Sequence, residues 1–189
     1  MAAGATLGIF AGGQASRLGG LDKAWLRRDG IAQVERLAAR LGDGVAEVLV
    51  SANRNHEAYA RIGLATVSDR VAGIGPLGGL DALARACSGD WLLTVPVDVV
   101  NINDCLLRRL AACGEQGAWA EDDDGPQPLV ALWPVARLRP VLAAAIDAGE
   151  LAVHALQARL GMVPLRLEGV RFGNLNTPQD LANAGIETG

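Results

Sequence analysis

The segment most informative about the fold is residues 6–24, Thr-Leu-Gly-Ile-Phe-Ala-Gly-Gly-Gln-Ala-Ser-Arg-Leu-Gly-Gly-Leu-Asp-Lys-Ala. Its first five residues form a largely apolar run that predicts a buried β-strand. The loop that follows is rich in glycine, and residues such as Gly12 and Gly13 can take positive φ angles that turn backbone N–H groups towards an anion. Arg17 can donate two hydrogen bonds to phosphate oxygens, and Lys23 adds a point charge. The stretch therefore predicts a nucleoside triphosphate site, although its spacing differs from that of P-loop NTPases.

Composition restricts the class of protein and its partners. The chain has 189 residues, of which 50% are apolar and 20% charged, and this favours one domain over residues 1–189. The net charge of −4 argues against nucleic acid and anionic membranes, because binding to either needs a basic excess. Neither a leader pattern nor an apolar run of membrane-spanning length occurs. We therefore expect a cytoplasmic protein with no nucleic-acid or membrane partner.

Apolar runs and helical periodicity predict the fold class. The first four strands are expected at residues 6–10, 48–52, 64–67 and 91–95. These runs alternate little, which suits parallel strands covered by helices on both faces. From Gly117 onward, two extended runs flank the acidic turn Asp122–Gly125 and predict an antiparallel hairpin, whose acidic side chains we expect to be solvated. The sequence therefore predicts an α/β fold of three α/β/α layers, Rossmann-like, with a mostly parallel mixed sheet.

The remaining elements follow from periodicity and helix-start signals. Helices are predicted at residues 31–41, 76–86, 103–113, 135–148 and 151–160. Two more extended runs are expected at residues 163–167 and 171–175. Thr177 and Asp180 then form a capping box with Pro178 at the first helical position, and this predicts a last helix.

Polar residues follow each predicted parallel strand, at the edge of the sheet where α/β proteins bind ligands. Besides the glycine-rich loop, these are Asn53, Asp69, the glycines Gly75 and Gly79 at the start of the next helix, and Asp98. Because the carboxyl ends of parallel strands meet at one edge, we expect these residues to lie at one site.

Asp98 is the candidate metal ligand. It directly follows an apolar strand, where a lone carboxylate needs a cation, and Mg²⁺ is usually held by one or two carboxylates together with substrate phosphates. The alternative role is a helix N-cap, for which Asn101 or Asn103 is better placed. We expect Asp98 to bind Mg²⁺, and Asp22 either to orient Lys23 or to balance its charge.

The glycine-rich loop closely resembles the signature Leu-Ala-Gly-Gly-x-x-x-Arg-Met-Gly-x-Asp-Lys of the molybdenum cofactor guanylyltransferases, nucleotidyltransferases that attach GMP to molybdopterin. Phe10 and Leu18 replace the usual Leu and Met. The resemblance extends to the residues after the other strands, where Ser51 replaces the first Asn of Asn-x-Asn-Arg and Val100 the second Pro of Pro-x-Asp-x-Pro. Near the end of the chain, residues 174–178 match the family's Asn-x-Asn-Thr-Pro.

The resemblance implies a nucleotidyltransferase fold and an enzyme that transfers GMP from GTP to molybdopterin with Mg²⁺, releasing pyrophosphate. It implies catalytic roles for Arg17, Lys23 and Asp98, with Asp98 on the metal. The implied nucleotide-binding residues are Phe10, Ala11, Gly12, Gly13, Lys23, Asn53, Asp69, Gly75, Gly79 and Asp98. Asn174 and Asn176 are implied to bind the acceptor. A transient contact with molybdoenzymes or their chaperones is a further implication.

Several alternatives remain open at this point. Related enzymes use CTP with the same cofactor, sugar-phosphate nucleotidyltransferases share the loop, and a GTP sensor or carrier would bind without turnover. Residues 73–78 also satisfy the dinucleotide pattern G-x-G-x-x-G, with Asp98 twenty residues beyond Gly78. Against that interpretation, Pro76 removes one backbone N–H and the first loop is left unexplained.

Overall fold

A computed structural model describes residues 4–12 and 22–186 of the chain. Its strands are β1 (Thr6–Phe10), β2 (Arg27–Arg28), β3 (Ile31–Ala32), β4 (Glu47–Ser51), β5 (Ala65–Val67), β6 (Trp91–Pro96), β7 (Ala118–Asp122), β8 (Gly125–Pro134) and β9 (Val163–Arg166). Its α-helices are α1 (Gln33–Gly42), α2 (His56–Arg61), α3 (Pro76–Ala86), α4 (Leu106–Ala111), α5 (Val135–Asp147), α6 (Val153–Leu160) and α7 (Pro178–Asn183). A short 3-10 helix spans Lys23–Trp25.

The main sheet has the strand order β5-β4-β1-β6-β8-β7-β9. The first four strands in this order are parallel, β8 runs antiparallel to both of its neighbours, and β9 is parallel to β7. From β1 the chain builds the sheet outwards through β4 and β5, then returns to place β6 on the other side of β1. Ligands of open α/β sheets bind at this kind of switch point, outside the carboxyl ends of the strands. The predicted mostly parallel mixed sheet is confirmed.

Two apolar clusters cover opposite faces of the sheet. Alternate residues of β6 divide between them: Leu93 packs with the cluster under α1, α2 and α4, and Leu92 with the cluster under α3, α5 and α6. In β1, Gly8 has no side chain, so Leu83 of the second cluster can pack directly against the strand. A Cβ at position 8 would lie 2.9 Å from the Leu83 side chain. The three-layer prediction is confirmed, and the central strand is buried on both sides.

Local signals explain where several elements begin. α3 begins at Pro76, directly after Gly75, whose φ of 62° favours glycine. α7 begins with the predicted capping box, because the Thr177 hydroxyl accepts from Asp180 N and the Asp180 carboxylate accepts from Thr177 N. Strands β2 and β3 form a hairpin that sequence patterns did not predict; its turn carries positive φ at residues 29 and 30.

Two sequence predictions are wrong in detail. Residues 171–175 form no strand; they contribute one isolated antiparallel bridge, between Asn174 and Val99. The segment instead lies along the loop after β6, where Phe172 O accepts hydrogen bonds from the N–H groups of Val100 and Asn101. The predicted helix over 103–113 is shorter, because the Asn103 side chain accepts from Cys105 N just ahead of α4.

The acidic turn between β7 and β8 also differs from expectation. Asp122 is fully buried. Its Oδ1 accepts from Asp124 N and from Gln127 Nε2, and its Oδ2 accepts from Phe172 N at 2.8 Å. The prediction of a solvated turn is therefore wrong for Asp122, because the backbone of a distant segment supplies donors that the local sequence does not reveal. No helix in the described part of the chain is both long and apolar enough to span a membrane.

Candidate active site

The carboxyl ends of the parallel strands hold the predicted site residues along one edge. Backbone hydrogen bonds continue the sheet past the strand ends: Ala11 N donates to Ser51 O, Ala52 N to Val67 O, and Val97 N to Phe10 O, each at 2.9 Å. These bonds fix where each loop leaves the sheet. The residues that follow β1, β4, β5 and β6 therefore start from one rigid edge, as the sequence predicts.

Lys23, Asp98 and Asn176 meet at one end of this edge and are called the lysine cluster below. Lys23 Nζ lies 2.9 Å from Asp98 Oδ2 and donates to Asn176 Oδ1 at 2.6 Å. The side chains of Lys23 and Asp98 are 19% and 22% exposed, so the ion pair is open to a ligand. The cluster joins the 3-10 helix, the loop after β6 and the segment before α7.

Asp22 supports Lys23 through the backbone. Its Oδ1 accepts from Ala24 N at 3.1 Å and so caps the 3-10 helix that carries Lys23. Its Oδ2 accepts from Asn55 Nδ2 at 3.1 Å. Within residues 4–12 and 22–186, Asp22 forms no ion pair with Lys23, which pairs with Asp98 instead. Asp22 thus orients the lysine by capping its helix.

The segment that carries Asn176 is held from both sides. Leu175 N donates to Asp98 O at 3.1 Å, next to the carboxylate that pairs with Lys23. Asn176 N donates to Asp180 Oδ2 at 3.2 Å. Hydrogen bonds from Thr177, mainly through its side chain and then through its backbone, lower the pKa of the Asp180 carboxyl. The charge of Lys23 adds to this shift. A groove of about 200 Å³ beside this segment is lined by Asn101, Asn174 and Asp180 among others.

Asn53 and Asp69 form the Asn53–Asp69 pair at the opposite end of the edge. Asn53 Nδ2 donates to Asp69 Oδ2 at 3.1 Å, and Asp69 N donates to Asn53 Oδ1 at 2.9 Å. Gly12 lies next to this pair, since a Cβ there would be 3.7 Å from Asn53 Nδ2. Asp69 Oδ1 is buried and accepts no hydrogen bond from the described residues. A buried unpaired acceptor is costly, so this atom is suited to an N–H donor on a ligand.

The glycines at the start of α3 have distinct surroundings. Gly75 is exposed at the helix start. A Cβ at Gly78 would lie 2.9 Å from Asp69 Oδ2, so this glycine lets the carboxylate rest against the helix. Gly79 is buried, and a Cβ there would lie 2.6 Å from Ser51 Oγ and 3.0 Å from Phe10 Cδ1. Gly79 therefore packs α3 against the strand ends beneath the site.

In the lysine cluster, Asp98 is the carboxylate that suits a shared metal ion. Asp98 Oδ2 contacts Lys23, whereas Oδ1 accepts no hydrogen bond from residues 4–12 or 22–186. In those ranges no group of three or more His, Cys, Asp or Glu side chains is placed to hold a metal by itself. A single available carboxylate fits a cation such as Mg²⁺, which takes most of its ligands from phosphates and water.

Part of this site was predictable from the amino-acid sequence, and part of it was not. Gly13 and Arg17, predicted to contact phosphate, lie outside the described residues. The contacts of Asn55 with Asp22 and of Asp180 with Asn176 were not predicted. The capping box at Asp180 was a usable signal for the second contact, since its carboxylate must lie near the preceding backbone.

The family model of the MobA-like NTP transferase domain matches residues 7–162. A molybdenum cofactor guanylyltransferase of Cereibacter sphaeroides is 40% identical over 182 residues, covering 93% of each chain. One from Photobacterium profundum is 34% identical over 183 residues, covering 94% of this chain and 93% of the other.

Two solved structures share the fold. Molybdopterin-guanine dinucleotide biosynthesis protein A of Archaeoglobus fulgidus gives a TM-score of 0.77 at 22% identity, covering 95% of this chain and 96% of that chain. The 2-C-methyl-D-erythritol 4-phosphate cytidylyltransferase of Thermus thermophilus gives a TM-score of 0.71 at 19% identity, covering 94% of this chain and 96% of that chain. The fold is therefore shared by proteins named for different nucleotides, so the fold alone does not identify the nucleotide.

Proposed function

The chain belongs to the family of the MobA-like NTP transferase domain, and we propose that it transfers GMP from GTP to molybdopterin, with release of pyrophosphate. The named relatives of Cereibacter and Photobacterium support the reaction, since each is aligned along more than nine tenths of this chain. The lysine cluster carries the proposal, because it joins Lys23, which we assign to the nucleotide, to the segment of Asn176, which we assign to the acceptor. We also propose that residues 1–189 form one nucleotidyltransferase domain.

The triphosphate binds between the glycine-rich loop and the lysine cluster. Backbone N–H groups of Gly12 and Gly13 donate to phosphate oxygens, Ala11 holds the loop to the sheet through Ser51 O, and Arg17 and Lys23 neutralise the phosphate charge. Positioning and charge neutralisation dominate catalysis of such a transfer. Lys23 is held beside the site by Asp98 and Asn176, and because this ion pair is partly exposed the ammonium group can also donate to the phosphates when they arrive.

Asp98 is the residue that would hold Mg²⁺, through the carboxylate oxygen that Lys23 leaves free. When bound, Mg²⁺ stabilises negative charge on the phosphate oxygens. The same carboxylate keeps Lys23 at the site through its other oxygen. One aspartate thus serves both cations.

The acceptor approaches from the side of Asn174 and Asn176. Its terminal phosphate needs no general base, because a phosphate with a second pKa near about 6 is ionised at neutral pH. Asn176 Oδ1 accepts from Lys23, which leaves its Nδ2 group free to donate to the acceptor. Asn174 lines the groove next to it.

The Asn53–Asp69 pair binds the base. Asp69 Oδ1 is a buried acceptor without a partner among the described residues, and the edge of guanine carries N–H donors at N1 and at its exocyclic amine. Gly12 and Gly75 leave room along the strand ends for the nucleoside, and Gly79 contributes by letting α3 pack closely beneath it. Phe10 packs against Gly79 of α3 at the bottom of the site. CMP transfer is the second candidate, since the Thermus cytidylyltransferase has the same fold.

Substrate competition tests the proposal directly. The purified protein is incubated with molybdopterin, Mg²⁺ and either GTP or CTP, and pyrophosphate release is followed. We expect GTP to exceed CTP at least about tenfold in kcat/KM, or about 1.4 kcal/mol. A CTP preference would make the protein a cytidylyltransferase, and GTP binding without turnover would make it a sensor or carrier. Thermal stabilisation by NAD alone would support the dinucleotide interpretation.

A further inference from the structure

A buried aspartate on α3 is paired with two arginines outside the proposed catalytic groups. The Asp81 side chain is 7% exposed. Arg70 Nε donates to its Oδ2 at 3.0 Å, and Arg85 Nε donates to its Oδ1 at 2.9 Å. Both oxygens are engaged, so the charge is compensated on a helix face that is otherwise apolar.

The two arginines attach Asp81 to different parts of the molecule. Arg85 lies four residues along the same helix, and its pair is internal to α3. Arg70 directly follows Asp69, in the irregular segment between β5 and α3. The Arg70–Asp81 pair therefore links the helix to the residue next to the base-binding carboxylate.

Other contacts show why this link determines the position of Asp69. β5 is a three-residue strand at the edge of the sheet, and its hydrogen bonds to the neighbouring backbone end at Val67 and Ser68, just before Asp69. Asn53 holds Asp69 from the side of β4. On the opposite side, Gly78 contacts the carboxylate, and Gly78 and Asp81 lie on the same helix face because they are three residues apart. Asp69 is thus fixed between Asn53 and the face of α3 that Arg70 binds.

We propose that Asp81 is a positioning residue for base selection. Through Arg70 it fixes the segment that carries Asp69, so that the unpaired Oδ1 of Asp69 faces one place in the site. A fixed acceptor there favours guanine, which presents a donor at N1, over adenine, which presents an acceptor at N1. This inference rests on the proposed function, since it takes Asp69 to bind the base.

Arg85 provides a matched control. Arg70 and Arg85 have similar exposure, 56% and 48%, and equivalent bonds to the same carboxylate. Each substitution to alanine removes one partner from the same buried carboxylate, so the two losses of stability should be alike. Arg70→Ala and Arg85→Ala should therefore have similar melting temperatures, and only Arg70→Ala removes the link to Asp69.

The experiment measures Kd for GTP and for ATP by calorimetry on the wild type, Arg70→Ala, Arg85→Ala, Arg70→Lys and Asp81→Asn. For Arg70→Ala we expect the ratio of the ATP Kd to the GTP Kd to fall about fivefold, as for the net loss of one hydrogen bond. Arg85→Ala should keep the wild-type ratio, Arg70→Lys should recover part of it, and Asp81→Asn should match Arg70→Ala.

The proposal is overturned if Arg70→Ala and Arg85→Ala change the ratio equally, or if neither changes it. It is also overturned if Asp81→Asn folds and lowers the melting temperature while the ratio stays at the wild-type value. Should Asp81→Asn not fold, the comparison of the two arginine variants decides alone. Binding needs no acceptor, so a failure of GMP transfer to molybdopterin would refute the proposed function without affecting this test.

Discussion

The lysine cluster and the Asn53–Asp69 pair lie at the two ends of the same sheet edge but are built differently. In the lysine cluster, side-chain bonds join Lys23 to Asp98, 75 positions away, and to Asn176, 153 positions away. The Asn53–Asp69 pair joins residues only 16 apart, and one of its two bonds uses the backbone of Asp69. Asp69 is further fixed against α3 by Gly78 and the neighbouring Arg70–Asp81 pair.

This difference indicates different roles during binding. The lysine cluster is a partly exposed ion pair, and one Asp98 oxygen accepts no hydrogen bond from the described residues, so its members can exchange partners when phosphate and a cation arrive. The Asn53–Asp69 pair is fixed before binding and keeps one buried acceptor available. Changes in the lysine cluster should therefore affect turnover and phosphate binding, and changes near the pair should affect the choice of base.

Asp98→Asn should give the largest effect. The substitution keeps the shape but removes the charge that pairs with Lys23 and would hold the metal, so we expect turnover to fall at least about 100-fold. Pyrophosphate release across a Mg²⁺ titration measures the loss, and thermal unfolding checks the fold. Asp104→Asn, an exposed carboxylate before α4, is the control. Activity within a few-fold of wild type at every Mg²⁺ concentration would refute the assignment.

Lys23→Ala should weaken GTP binding more than GMP binding. A charge-assisted hydrogen bond contributes about 1.5–3 kcal/mol, so we expect the GTP Kd to rise about 10- to 100-fold. Calorimetric titrations with both nucleotides compare the losses, and Arg61→Ala, on the exposed end of α2, controls for net charge. Equal losses for GTP and GMP would place Lys23 away from the β- and γ-phosphates.

The parallel strands were predictable from sequence because each is a short apolar run followed by a polar or glycine-rich turn. Residues 171–175 look equally extended, yet they form no ladder. Their partner is the loop after β6, and the hydrogen bonds of Phe172 with Val100 and Asn101 depend on tertiary structure alone. Local pattern therefore predicts an extended backbone there but not its partner.

The site was predictable where strand topology determines position. Asn53, Asp69 and Asp98 each follow a parallel strand, so a shared edge follows from the fold class. The pairing of Lys23 with Asp98 and Asn176 was not predictable, because it depends on how three distant segments pack. Asp81 and Asp122 illustrate the same limit, since their buried carboxylates are satisfied by donors from other segments.

Asn176→Ala should weaken binding of the acceptor more than Asn174→Ala does. Asn176 contacts Lys23, whereas Asn174 lines only the adjacent groove. We expect the KM for molybdopterin to rise about tenfold for Asn176→Ala and less for Asn174→Ala, as for loss of one or two hydrogen bonds. The GTP Kd should stay within about twofold of wild type for Asn174→Ala. A fall in GTP affinity with an unchanged acceptor KM would refute the acceptor role.

Thr177→Ala should give the smallest effect, because it acts on the lysine cluster only through the support of Asn176. The hydroxyl of Thr177 accepts from Asp180 N, and loss of such an N-cap costs about 1 kcal/mol. Hydrogen bonding by Thr177 holds the pKa of Asp180 below its ordinary value of 3.8, so this contribution to stability is present at neutral pH and is lost as the pH falls through the lowered pKa. The stability gap between wild type and variant should therefore narrow below pH 3.8. Thermal unfolding from neutral to acidic pH measures this stability gap, and Gln179→Ala on the same helix is the control. A gap that widens in acid would show that Thr177 does not favour the charged form of Asp180.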